Sequence, residues 1–277
     1  MSINPDKITA YCRAHSEIRD IVHEVLLFDG VVSTNDIALE MAADGMPGGL
    51  AILAESQSGG KGRLGRSWFS PPGKNIHLSL LLRPALQARE YPLFSPAAAL
   101  GMLKGIREAT GLEAGIKWPN DLVLSGKKVG GVLLVSGASG GQTPPLVIGL
   151  GLNVNPDHTD FPEELREIAT SLKIASNTNM DRNVLIMDLL KAVSAEIHRL
   201  QGGEIKAVMD EVRLHCVTLG KKVRVATERR VFEGRAENIA DDGALQIKLG
   251  DHSTRSVLMG DITHLREASA AKAAESH

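Results

Sequence analysis

The sequence predicts an α+β fold: a mixed β-sheet flanked by helices over residues 1–216, a small β-barrel over 217–266, and a flexible tail over 267–277. Three observations carry the prediction. Apolar segments of helical and of strand length alternate as far as residue 214, which calls for helices packed on a sheet. From Leu219 the chain switches to short alternating strands with turn signals between them, a pattern suited to a small barrel. Finally, 277 residues with 43% hydrophobic content suffice for one large core and one small one.

Taken in order, Asn4 before Pro5, with Ile8, Tyr11 and Cys12 at helical spacing, predicts a short capped helix. A strand follows at 25–28. Ser33 and Thr34 then open a helix over about 35–43, and 50–54 is a second apolar strand. Residues 57–74 hold Gly59, Gly60, Gly62, Gly65 and Gly73 with Pro71 and Pro72, so a long loop is expected there. Residues 75–83 alternate as a strand, and 95–110 form a helix whose Ala-rich face packs on the sheet. Strands are expected at 115–118, 121–124, 127–135 and 146–153, with Ser125-Gly126 as a hairpin turn. Helices are expected at 162–172, 181–200 and 204–214. The barrel strands are 222–226, 232–239, 244–249 and 255–259, with Asp242-Gly243 as a turn, and the tail frays after Arg266. No internal repeat is evident.

A net charge of −2 gives no global reason to expect nucleic acid or an anionic membrane as partner, so anion binding must come from local clusters of bases. Cys12 and Cys216 match no disulfide framework or zinc spacing, which fits a reducing compartment. There is no signal-peptide pattern and no apolar run of about 18 residues, so a cytoplasmic protein is expected.

The most informative stretch is ESQSGGKGRLGRSWFSPPGKN, residues 55–75. No acidic residue occurs from Ser56 to Arg89, whereas Lys61, Arg63, Arg66, Lys74, Arg83 and Arg89 are basic. Glycines let backbone N–H groups surround an anion, and interleaved guanidiniums clamp carboxylate or phosphate oxygens. A solvated linker would explain the glycines alone, but not Trp68 and Phe69 in a chain with 2 Trp, 2 Tyr and 5 Phe. A P-loop is excluded because Gly60-Lys61 is followed by Gly62 and position 55 is Glu. GLGLNVN, 149–155, lacks the third glycine and the acidic residue of a dinucleotide fingerprint. A second cluster, KWPNDL at 117–122 with KKVGG at 127–131, places Lys128 across a hairpin from Asp121. A lysine and a carboxylate beside a polyphosphate site suit acyl adenylation. Asn153, at the end of an apolar strand, is either a turn former or a ligand contact.

In this order and spacing, STN (33–35), GKGRLGRSW (60–68), KWPND, KKVGG, GLGLNVN and the C-terminal barrel closely resemble the biotin protein ligase family, over about residues 25–266. The resemblance implies the family's class II synthetase-like catalytic fold followed by an SH3-like barrel. It also implies that Ser33, Thr34, Asn35 and Gln57 line a biotin pocket, with Gly60 and Gly131 belonging to it. Lys61, Gly62 and Arg63 would close over biotin and the adenylate linkage, and Lys128 would hold the biotin carboxylate. Arg66, Trp68, Asn120 and Asn153 fall on the nucleotide side. Biotin and ATP with Mg2+ are implied as substrates, although no residue pattern identifies a metal site. One departure stands out: the family usually has Arg where this chain has Lys61, and a lysine cannot reproduce a bidentate guanidinium contact.

The implied activity is that of a biotin–[biotin carboxyl-carrier protein] ligase: biotin is activated as biotinyl-5′-AMP and transferred to a lysine on the carrier domain of a carboxylase. Catalysis would rest on Lys128, Arg63 and Lys117 stabilising charge, with Asp121 orienting or deprotonating the acceptor lysine. A lipoate or octanoate ligase or transferase is the rival within the same architecture. A biotin-responsive DNA repressor is disfavoured, because the 24 residues before Val25 are too few for a three-helix DNA-binding module. A noncatalytic binding module would leave Lys117, Asp121 and Lys128 together unexplained. The expected partners are therefore the substrates and the carrier domain, with no nucleic acid or membrane, and a homodimer is compatible with the reading.

Overall fold

The computed structural model describes residues 2–138, 143–227, 230–258 and 260–265. Asn4 caps helix α1 (Pro5–Ala14) by accepting from the Lys7 N–H, with Pro5 supplying the first helical position. A short helix α2 (Ser16–Arg19), not predicted, leads into β1 (Glu24–Phe28), α3 (Thr34–Ala43) and β2 (Leu50–Ala54). After the glycine-rich loop come β3 (Ile76–Leu82), α4 (Phe94–Thr110), β4 (Gly115–Lys117), β5 (Asp121–Leu124), β6 (Lys127–Ser136) and β7 (Leu146–Leu152). Ser125 and Gly126 both take positive φ, 49° and 80°, giving the expected tight turn between β5 and β6.

These strands form a 7-stranded sheet in the order β1-β2-β3-β7-β6-β5-β4, with β1–β2 parallel and the rest antiparallel. One face carries Leu78 and Leu80 into the main core with α4 and with α6 (Arg182–Gln201). Gly101 makes the helix contact close: a Cβ there would lie 2.5 Å from the Val193 backbone. The other face is organised in rows across the strands. Leu50, Leu81 and Val147 pack under α3, followed by Ile52, Ser79 and Gly149. The next row, Ala54, His77, Gly151, Gly131, Asp121 and Lys117, lies beyond this cover and forms a trough with glycines at its centre.

The predicted helix at 162–172 is not formed. Only a 3-10 turn at Glu163–Leu165 and a short helix α5 (Leu172–Ser176) occur there. The intervening backbone is drawn to the sheet instead: Lys128 N–H donates to Ile168 O and Thr170 N–H to Lys128 O, each 2.8 Å, while Ser171 caps α5. Ladder bonds to the edge of β6 outweigh the weak helical preference of the segment.

Helices α6 and α7 (Ile205–His215) follow as expected, and then a 5-stranded antiparallel sheet of β8 (Lys222–Ala226), β9 (Val231–Ile239), β10 (Leu245–Lys248), β11 (Thr254–Val257) and β12 (Asp261–His264). Its order is β11-β10-β9-β8-β12, so among the described residues the ladder stays open between β11 and β12 rather than closing as a barrel. The predicted last strand ends at Val257; Met259 and the tail expected at 267–277 lie outside the described residues, and β12 was not predicted. Among the described residues, no helix is long and apolar enough to cross a membrane.

Candidate active site

The trough opens into a cavity of about 840 Å³ that lies beneath the glycine-rich loop. Ser33, Thr34, Asn35, Gln57, Lys61, Gly62, Arg63, Arg66, Trp68, Lys117, Asn120, Asp121, Lys128, Gly131 and Asn153 all line it. Gly60 does not; it sits behind the wall, where a Cβ would come within 2.9 Å of Gln57 Nε2, Ser70 Oγ and Trp68 O.

At one end the start of α3 supplies a buried polar floor. The Thr34 N–H donates to Gln57 Oε1 at 2.8 Å, and Ser79 Oγ lies 2.7 Å from Thr34 Oγ1 and 2.6 Å from Asn35 Oδ1. Ser33 is buried at the N-cap of α3, yet its side chain makes no capping bond. Gly149 is required under this floor, because a Cβ there would lie 2.4 Å from Asn35 Oδ1. Toward the centre, Lys128 Nζ and Asp121 Oδ1 form an ion pair of 2.6 Å, with the Lys128 stem passing over Gly131. Trp68 lies against Gly151, its indole N–H is buried without a partner, and Lys128 Nζ is 5.5 Å from its ring centroid.

The loop tip is more ordered than its glycine content predicts. Trp68 N–H donates to Gly60 O and Gly62 N–H to Arg66 O, closing a hairpin-like turn around Leu64, whose φ is +55°. Arg63 donates to Asn120 Oδ1 at 3.3 Å and to Gly260 O at 3.4 Å, and burial pulls its pKa below the ordinary value against the opposing pull of Asp121 and Asp261. Arg66 pairs with Asp261 at the start of β12. Lys61 turns outward to Asp36 of α3, at 2.8 Å, so its charge is matched on the protein rather than directed into the cavity. Asn153 is fully engaged: its Oδ1 accepts from Asn75 and its Nδ2 donates to Thr170 O, each 3.1 Å. That makes it the joint between β7, the loop end and the 165–170 segment. Trp118 is likewise structural, its indole donating to Gly243 O and its backbone N–H to Thr218 Oγ1.

Several lining groups escaped the sequence reading. Phe161, its ring centroid 5.0 Å from that of Phe69, joins Leu165, Ile168 and Ala169 as an apolar wall, which required the 162–172 helix to be absent. Asp261 and His264 come from β12 and Lys221 from the residue before β8. His264 has its pKa pulled down to about 4 by burial and by Lys117 and Lys221. His77, in β3, is buried with both ring nitrogens unpartnered and its pKa lowered to about 4 by burial and by Arg182. The only sequence signal was a pair of polar residues, His77 and Ser79, alternating inside an apolar strand.

Residues 27–153 match the model described as the biotin/lipoate A/B protein ligase family, and 218–265 match the biotin protein ligase C terminal domain. The chain is 34% identical over 240 residues to the biotin--[acetyl-CoA-carboxylase] ligase of Mycobacterium tuberculosis, covering 84% of this chain and 86% of that protein. It is 32% identical over 244 residues to the bifunctional ligase/repressor BirA of Bacillus subtilis, covering 86% and 75%. The structure of biotin protein ligase from Aquifex aeolicus in complex with biotin and ATP superposes with a TM-score of 0.75 at 26% identity, covering 88% of this chain and 99% of that one. With fold, cavity and relatives in agreement, this chain belongs to the biotin protein ligase family.

Proposed function

We propose that the chain binds biotin and Mg-ATP in the cavity beneath the loop, joins them as biotinyl-adenylate, and passes the biotinyl group to a lysine of a biotin carrier domain. The observation that carries this reading is the Lys128–Asp121 pair, 2.6 Å apart, set between a polar floor and a rim of guanidiniums in one cavity. Ser33, Thr34, Asn35 and Gln57 form the floor, which suits the ureido ring of biotin, with its carbonyl acceptor and N–H donors. The dithiolane ring of lipoate offers neither a carbonyl nor N–H groups to match that floor.

In the first half-reaction a biotin carboxylate oxygen attacks the α-phosphorus and the bond to pyrophosphate breaks. Two anions must approach, and Lys128 at the carboxylate, with Arg63, Arg66 and Lys117 around the phosphates, offsets their repulsion. Trp68 and Asn120 flank the nucleotide, while Asn153 holds the wall there. Among the described residues no three His, Cys, Asp or Glu side chains cluster to hold a metal, so magnesium is taken to arrive on the phosphates of ATP. In the second half-reaction the acceptor amine attacks the acyl carbon and AMP leaves. That amine, with a pKa of about 10.4, must lose a proton to react. Once Lys128 has the substrate carboxyl group as a partner, Asp121 is free to orient the amine and take its proton. The two buried free thiols, Cys12 and Cys216, suit action in the reducing cytoplasm.

The test is transfer of labelled biotin to a purified biotin carrier domain in the presence of Mg-ATP, with a parallel reaction supplying lipoate. Label on the carrier lysine from biotin alone is expected. Preferential transfer of lipoate would overturn the assignment.

A further inference from the structure

Among the described residues, His77 is a fully enclosed polar side chain of the cavity that the proposed reaction leaves unused. It is 2% exposed, lines the cavity, and has no hydrogen-bond partner on either ring nitrogen among the described residues. Burying an imidazole without partners costs stability, and an apolar residue of similar size would remove that cost. Folding alone therefore gives no reason for a histidine at this point.

Position supplies the reason. Two residues along β3, Ser79 touches Thr34 and Asn35 at the polar floor. Across the sheet His77 faces Gly151, which faces Gly131, over which the Lys128 stem lies. With strand residues rising about 3.4 Å each and strands about 4.8 Å apart, Ser79 is roughly 7 Å from His77 and Gly131 roughly 10 Å. The straight line over the sheet from Ser79 to Gly131 crosses β7 midway between Gly149 and Gly151, roughly 6 Å from the His77 backbone and within reach of its ring. An acid whose ring sits on the floor and whose carboxylate meets Lys128 passes within reach of this imidazole, which lines the same cavity. Burial and the Arg182 guanidinium, opposed by Glu55, hold its pKa at about 4, so at neutral pH the ring carries one N–H donor and one acceptor nitrogen.

We propose that His77 is a substrate-contact residue whose ring N–H donates to an oxygen of the acid's carboxyl group, alongside Lys128. This rests on the reading of the cavity as a biotin site. One carboxyl oxygen remains as the acyl carbonyl after the other has bonded to phosphorus, so the same donor serves both the acid and its adenylate.

The experiment is calorimetric titration of wild type, His77→Leu and His77→Gln with biotin and with the analogue carrying a methyl group in place of the carboxyl, together with the Tm of each unliganded protein. Biotin binding by wild type tests the site itself; if it is absent, the biotin reading fails before His77 is at issue. Given that binding, His77→Leu should weaken biotin roughly tenfold or more, as loss of a hydrogen bond to a charged group does. It should leave the methyl analogue unchanged and keep the unliganded Tm equal or higher. His77→Gln, which retains an N–H donor, should recover most of the biotin affinity. If His77→Leu does not fold, His77→Met takes its place in the same comparison. Equal weakening of both ligands, or unchanged biotin affinity with a lowered Tm, would overturn the proposal and leave His77 a packing residue.

Discussion

Asp121 is held by Lys128, and that contact determines what its removal should do. Asp121→Asn keeps size and most hydrogen bonding but cannot accept a proton, so adenylate formation should persist while transfer slows, and the transfer defect should shrink as pH rises and more acceptor amine is neutral. Single-turnover assays of the two steps check this, and equal loss in both would place Asp121 on the nucleotide side. At Gly151 a Cβ would lie 2.6 Å from Trp68 Cε2, so Gly151→Ala should displace the indole and lower kcat/KM for ATP by roughly 10²-fold, as a misplacement of about 1 Å can. His77 and His264 both have pKa values depressed from 6.5 to about 4. Folding keeps them neutral where the unfolded chain would protonate them, so they impose no pH-dependent penalty above pH 6.5 and a growing loss of stability as pH falls toward 4. Tm measured from pH 7 to 4 should fall, and less steeply in His77→Leu. Lys128 and Asp121 were legible because their motif encodes a hairpin that faces them. His77 was not, because a histidine within an apolar strand looks the same in sequence whether it faces a core or a cavity.

For the glycine-arginine loop, composition marked the run of bases but not their geometry. Its ends are tied to α3 by Lys61–Asp36 and to β12 by Arg66–Asp261, both at exposed positions. Such pairs hold weakly and yield to salt. Tryptic cleavage at Lys61, Arg63 or Arg66 should therefore accelerate as salt is raised and be suppressed by biotin with ATP, whose phosphates offer stronger partners. Cleavage unaffected by the ligands would count against closure over an adenylate. The 162–172 segment shows why a helix can be misread: its helical composition was real, but the open edge at Lys128 offered backbone partners that no local pattern records.

Across the whole molecule, the order of strands and helices was readable from periodicity and turn residues, whereas the meeting of the two sheets was not. The C-terminal region reaches the cavity through Lys221, Asp261 and His264, and Trp118 and Arg63 bond to the backbone of its connections or to Thr218 before them. No sequence period encodes a contact between residues that far apart. The central claim is that one cavity activates the acid through Lys128, and biotin-dependent pyrophosphate release by Lys128→Met tests it most directly. A rate lower by about 10²–10³-fold is expected, the loss on deleting one electrostatic contact to a reacting group, with Tm little changed because the side chain is 37% exposed. A rate equal to wild type would contradict it.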